Sequence, residues 1–110
     1  MDNLILPNLK ELFLHRNEIT KIGNLAGCPK IRKLWLFQNS ITKIENLHSL
    51  SELTELWLQY NNINKLTGLE NNLELTNLGL AGNPINDFKE IKRLSSCNGL
   101  KSVTFTDIHF

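Results

Sequence analysis

No stretch of the 110-residue chain approaches the roughly 18 consecutive apolar residues that a membrane-spanning helix needs. The opening residues MDNLILPN lack the basic segment and long apolar run of a secretory signal. Charge is nearly balanced, with 12 Lys+Arg against 11 Asp+Glu and a formal net charge of +1. No block of like charge is present, so nothing electrostatic points to a nucleic acid or an anionic membrane as the main partner. Histidines number 3 and cysteines 2, scattered as His15, His48, His109, Cys28 and Cys97, and this spacing offers no metal triad. Glycine does not form a phosphate-cradling loop, and no Asn-x-Ser/Thr sequon occurs despite abundant asparagine. Together these absences remove the usual sequence signs of catalysis, so no enzyme activity, cofactor, metal or small-molecule substrate is expected.

What is present is a 22-residue period. Leu9, Ile31, Leu53 and Leu75 open four segments with one skeleton: LKELFLHRNEITKI, IRKLWLFQNSITKI, LTELWLQYNNINKL and LTNLGLAGNPINDF. A partial fifth segment, LKSVTF, starts at Leu100 after a 25-residue step. A leucine and asparagine pattern at this period signals a leucine-rich repeat solenoid. The expected fold is an α/β repeat solenoid: a right-handed superhelix with a parallel concave sheet and a convex side of 3₁₀ turns or short helices. Residues 1–110 then form one domain of four full repeats and a partial fifth. Leu6-Pro7 matches Cys28-Pro29 at the same period, so the first residues read as the tail of a preceding coil, and both ends read as truncated.

Each coil follows from side-chain alternation. In the second, Leu34 and Leu36 point inward while Trp35 and Phe37 point outward. Asn17, Asn39, Asn61 and Asn83 fall where each strand bends, and an amide that both donates and accepts suits the exposed backbone there. An inward ladder of asparagines is expected. Ile41, Ile44, Leu47 and Leu50 follow at spacings of three, which suits 3₁₀-type turns. Stacking at about 4.8 Å sets Cys28 and Cys97 three coils, roughly 14 Å, apart, beyond the reach of a disulfide. Two departures stand out. Asn72 occupies the place of Leu50, so either Leu73 rotates inward or that coil distorts. The longer fourth repeat has Phe88, Ile91 and Leu94 at helical spacing, and a short helix is expected there.

The skeleton, with Ile following the ladder asparagine, resembles over residues 9–94 the leucine-rich repeat class named for a regulatory subunit of protein phosphatase 1. That resemblance implies protein binding through the concave face, without catalysis, in a class with members tied to cilia and to phosphatase regulation. Extracellular leucine-rich repeats usually carry cysteine-rich caps, and this chain has none. An intracellular, cytoplasmic setting is therefore expected, with the cilium as the alternative.

Alternation also names the candidate surface. Between the strand leucines stand Phe13, Trp35, Trp57, Gly79 and Thr104. Just after each strand come His15, Phe37, Gln59, Ala81 and Thr106, beside Arg16, Gln38, Tyr60, Gly82 and Asp107. Just before lie Glu11, Lys33, Glu55, Asn77 and Ser102. Phe13, Trp35 and Trp57 should form a column flanked by Phe37 and Tyr60, with the surface turning shallow at Gly79, Ala81 and Gly82. Aromatic and Arg clusters concentrate interface energy, so the expected partner is a helix or loop of another protein. Aromatics also favour strand surfaces for packing alone, which leaves a purely structural spacer open. Single-stranded nucleic acid, held by stacking with Arg16, Arg32 and Lys33, is the runner-up reading, although Glu11 and Glu55 interrupt its basic track. A lysine row (Lys21, Lys43, Lys65) reads as a solvated rim, His15 could pair with Glu11, and uncapped ends favour self-association.

Overall fold

The computed structural model describes residues 4–105. Thr106, Asp107 and His109 lie outside them. Five three-residue strands, β1 (Glu11–Phe13), β2 (Lys33–Trp35), β3 (Glu55–Trp57), β4 (Asn77–Gly79) and β5 (Ser102–Thr104), form one sheet in chain order. Every pair is parallel, with Leu12↔Leu34, Leu34↔Leu56 and Leu56↔Leu78 in register 22 residues apart. The last pairing, Leu78↔Val103, absorbs the longer step. Backbone bonding runs on past the strands, through Arg16 N–H to Phe37 O (3.0 Å), Gln38 N–H to Gln59 O (2.8 Å) and Tyr60 N–H to Ala81 O (2.8 Å). The expected leucine-rich repeat solenoid is what forms.

The core is one column of leucine and isoleucine. Leu34, Leu36, Ile41, Leu50, Leu53, Leu56, Leu58, Ile63, Leu75, Leu78 and Leu80 are all fully buried. No single coil could enclose them, so each coil's apolar interior is covered by its neighbours.

The asparagine ladder forms, and it links coils. Asn61 Nδ2 donates to Leu58 O of its own coil (3.0 Å) and to Leu36 O of the preceding one (3.0 Å), while Oδ1 accepts from Ile41 N–H (3.0 Å). Asn39 and Asn83 repeat the arrangement. The residue before each ladder asparagine is left-handed: Arg16, Gln38 and Tyr60 have φ of 57°, 56° and 58°, and Gly82 has 72°. Turning the chain so sharply places the amide inward, at a cost of roughly 1–2 kcal/mol for each residue with a Cβ. A second left-handed column follows at Asn24, Asn46 and Gly68, with φ of 59°, 61° and 104°.

The convex side takes the expected form of turns with one short helix. In the first three coils it consists of successive three-residue turns, such as Leu50 N–H to Leu47 O (3.0 Å) and Leu53 N–H to Leu50 O (3.2 Å). Among the described residues, helix is confined to the fourth coil, as α1 (Phe88–Arg93) and a 3₁₀ turn at Leu94–Ser96. Asp87 caps α1 by accepting from Lys89 N–H at 2.9 Å. Ile91 and Leu94 face the core as their spacing predicts, but Phe88 is 65% exposed and Glu90 is buried in its stead. Glu90 Oε1 accepts from Leu66 N–H (2.9 Å) and pairs with Arg93 (3.1 Å). That backbone bond, with help from Arg93, holds the Glu90 carboxyl below the usual carboxylate range, against the opposing effect of desolvation.

Asn72 also corrects the expectation. Leu73 does not turn inward; it is 76% exposed, and Asn72 itself is buried. Its Nδ2 donates to Leu47 O (2.9 Å) and Leu50 O (3.2 Å) of the preceding coil, carbonyls that a leucine could not satisfy. Both cysteines are free, as expected. Burial pushes the Cys97 thiol pKa upward, which keeps it protonated. No helix among the described residues is long and apolar enough to cross a membrane.

Candidate functional site

The outer face of the sheet gathers the predicted residues, although not as a single column. Phe13 and Trp35 meet edge to face with ring centroids 4.6 Å apart, at 74°. His15 stacks flat on Phe37 at 4.5 Å and 9°, and each of these rings lies 6.2 Å from Trp35. Phe13, His15, Trp35 and Phe37 thus form one four-ring cluster across the first two coils. His15 does not pair with Glu11; the flat face of Phe37 holds it instead.

Trp57 keeps its register opposite Trp35, but its ring leans the other way, over the fourth coil. A Cβ on Gly79 would fall 2.6 Å from Trp57 Cε3 and 2.6 Å from Gln59 Nε2. Gly82 is covered in the same way by the Tyr60 ring. The fourth coil is therefore not the shallow opening its small residues suggested. Gly79 and Ala81 are buried because the third coil's large side chains lie across them.

Polar groups line the edge of these rings. Lys33 Nζ sits between Glu11 (3.7 Å) and Glu55 (3.5 Å), and Glu55 Oε1 also accepts from Trp57 Nε1 at 3.3 Å. Arg16 Nε donates to Gln38 Oε1 at 2.9 Å. Three polar atoms on this face are shielded from solvent yet have no hydrogen-bond partner: His15 Nδ1, Trp35 Nε1 and Gln59 Oε1. Buried polar atoms nearly always find partners; these three lack one although neighbouring side chains already cover them, and Asn72 Oδ1, away from this face, is a fourth such atom. Phe13 and Tyr60, 48% and 51% exposed, are its most open rings. A shallow groove of about 310 Å³ runs between Trp35, Phe37, Glu55, Trp57 and Gln59.

Elsewhere the surface is less pointed. A larger depression of about 540 Å³ lies over the turns of the first two coils, between Lys21, Asn24, Asn46 and His48. Asn46 is already committed there, with Nδ2 donating to Ile22 O at 2.7 Å. The lysine row is exposed, and Lys21 approaches Glu45 at 4.0 Å. Among the described residues no group of three or more His, Cys, Asp or Glu could hold a metal ion.

Comparison with known proteins agrees with this geometry. The family description for leucine-rich repeats in two copies matches residues 7–47 and again residues 29–71. The chain belongs to the leucine-rich repeat family, whose domains commonly bind proteins and are generally non-catalytic. Among solved structures it is similar to internalin C2 of Listeria monocytogenes, with 32% identity and a TM-score of 0.80 over 91% of this chain and 43% of that one. The internalin inlF of the same organism gives 26% identity and a TM-score of 0.74, over 90% of this chain and 28% of that one. The functional domain of InlJ from Listeria monocytogenes, which includes a cysteine ladder, shares the fold at 19% identity and a TM-score of 0.65, over 90% and 25% of the two chains. This chain thus spans less than half the length of each. No curated protein matches it.

Proposed function

We propose that the chain is a non-catalytic protein–protein interaction module that docks a helix or loop of a partner on the aromatic outer face of β1–β3. The observation that supports this most is the gathering on one face of the Phe13, His15, Trp35 and Phe37 rings with the exposed Tyr60. Within the family, the 22-residue skeleton resembles the protein phosphatase 1 regulatory class. The segment GNPINDFKEIKRLSSCNGLKSVTFTDIHF resembles leucine-rich repeat-containing protein 9, a long many-repeat protein. An intracellular setting, cytoplasmic or ciliary, goes with that reading. Nucleic acid fits the face poorly, because Glu11 and Glu55 bracket Lys33, and Arg32 lies 3.7 Å from Glu52. A single-strand track needs free positive charge.

The test uses the chain as bait, with wild type beside Phe13→Ala and Trp35→Ala variants that melt as wild type does. Truncating an anchor of a true interface should cost about 2–4 kcal/mol of binding. A partner bound by wild type and lost by both variants is the expected result. Equal binding by all three would show that the aromatic face only packs.

A further inference from the structure

The groove between Trp35, Phe37, Glu55, Trp57 and Gln59 has a chemical bias that the interaction reading does not itself require. Beside its amide and indole N–H donors, it offers groups that accept a hydrogen bond or attract positive charge. Gln59 Oε1 is a shielded acceptor with no partner. The Glu55 carboxylate has lone pairs beyond those used by Trp57 Nε1 and Lys33 Nζ, since a carboxylate can accept about four hydrogen bonds. The indole and phenyl faces carry negative quadrupoles that attract a cation. Lys33 lies 3.5 Å from Glu55 and 3.7 Å from Glu11, and ion pairs this exposed hold weakly. It can stay with Glu11 while Glu55 turns to a new partner. Trp35 Nε1, a donor without a partner, suits a backbone carbonyl once the ring turns to uncover it.

We propose that this groove receives an arginine side chain of a protein partner. The guanidinium stacks on the Trp35 and Trp57 rings and donates to Glu55, and turning of the Gln59 and Trp35 side chains brings the covered Gln59 Oε1 and Trp35 Nε1 within reach of the same segment. Arginine fits better than lysine because its planar fork both stacks on aromatic faces and bonds a carboxylate with two N–H groups. The proposal rests on the interaction reading above and narrows it to one chemistry of partner.

The chain contains 2 tryptophans, so its two indole N–H signals in nitrogen–proton NMR spectra can be assigned with single Trp→Phe variants. The probes are the N-acetyl methylamides of arginine, lysine, norleucine and glutamate, titrated to about 100 mM to reach weak affinities. Arginine should shift both indole signals saturably, with norleucine and glutamate at least about tenfold weaker. Glu55→Gln, which keeps the shape and an acceptor for Trp57 Nε1, should weaken the arginine response several-fold, and Glu74→Gln, at an exposed residue that does not line the groove, should not. Absence of an arginine response, or a norleucine or glutamate response of equal strength, overturns the proposal. A second arm selects peptides on the chain from a random display library. Peptides enriched in arginine whose binding falls with Glu55→Gln support the proposal. Peptides without arginine that need Trp35 and Trp57 sink the arginine pocket while leaving the interaction reading intact. Peptides that bind Trp35→Ala and Trp57→Ala variants as well as wild type sink both.

Discussion

An asparagine at the bend of each coil does work that no apolar residue could do there. Asn61 closes three bonds to backbone groups of two coils while only 5% exposed. Asn61→Ala strands the buried Ile41 N–H and leaves Leu36 O and Leu58 O with only the bonds from Asn39 and Asn83, and a buried group stranded in this way costs about 1–3 kcal/mol. Asn17 is exposed, and its amide donates only within its own coil, to Leu14 O (2.9 Å) and His15 O (3.2 Å). Asn17→Ala should therefore lose distinctly less stability than Asn61→Ala. Urea denaturation of the two variants checks this ranking, with a lower midpoint at unchanged slope expected for Asn61→Ala. Equal losses would mean that the bonds between coils add nothing to those within a coil.

Among the elements, α1 is the one departure from the repeat, and its buried face is set by a carboxylate. Position 90 falls in the column of Asn24, Asn46 and Gly68, where the other coils use left-handed turns. Glu90 instead meets the preceding coil by accepting from Leu66 N–H. Because its folded pKa is lowered, the stabilisation is fully present above the unfolded carboxylate value and is lost as pH falls through the folded one. Glu90→Ala should melt below wild type at neutral pH, and the gap should narrow as the pH drops through the acidic range. Thermal melts from neutral pH into that range measure it; a constant gap would mean that the carboxylate's charge is irrelevant. The strands and the ladder were legible in the sequence because a fixed 22-residue step leaves no freedom of register. The sheet-face residues were legible for the same reason, since alternation decides which side chains face outward. Side-chain direction within that face was not. Whether Trp57 leans to Trp35 or to Gly79 depends on which neighbour leaves room, and spacing says nothing about that. Asn72 and Glu90 were misread or missed because a lone polar residue off the main pattern looks like a defect or a surface charge. Only the unpaired backbone groups of the adjacent coil, visible in three dimensions, give them a purpose.

At the scale of the whole molecule, stability is a sum over neighbouring coils, and position in the stack should govern what a core substitution costs. Leu56 lies between β2 and β4 with no exposed surface, so its side chain contributes to two interfaces between coils. Leu12, at the same place in its own coil, pairs only with β2 and is partly exposed. Leu56→Ala should cost about 2–5 kcal/mol, the range for a leucine whose cavity cannot collapse. Leu12→Ala should cost clearly less, because only one neighbouring coil loses contact and solvent already reaches the site. The same asymmetry bears on function. The four-ring cluster spans β1 and β2, whereas the acceptor-rich groove lies over β2 and β3, closer to the middle of the stack. A fray that begins at β1 would disturb Phe13 and His15 before it reached Glu55 or Gln59. Hydrogen exchange separates these behaviours: amides of β3 should exchange only with global unfolding, and those of β1 by local opening at lower free energy. If Leu12→Ala lowered protection in β1 and β3 equally, the five coils would be opening as one unit and the docking face would be as durable as the core beneath it.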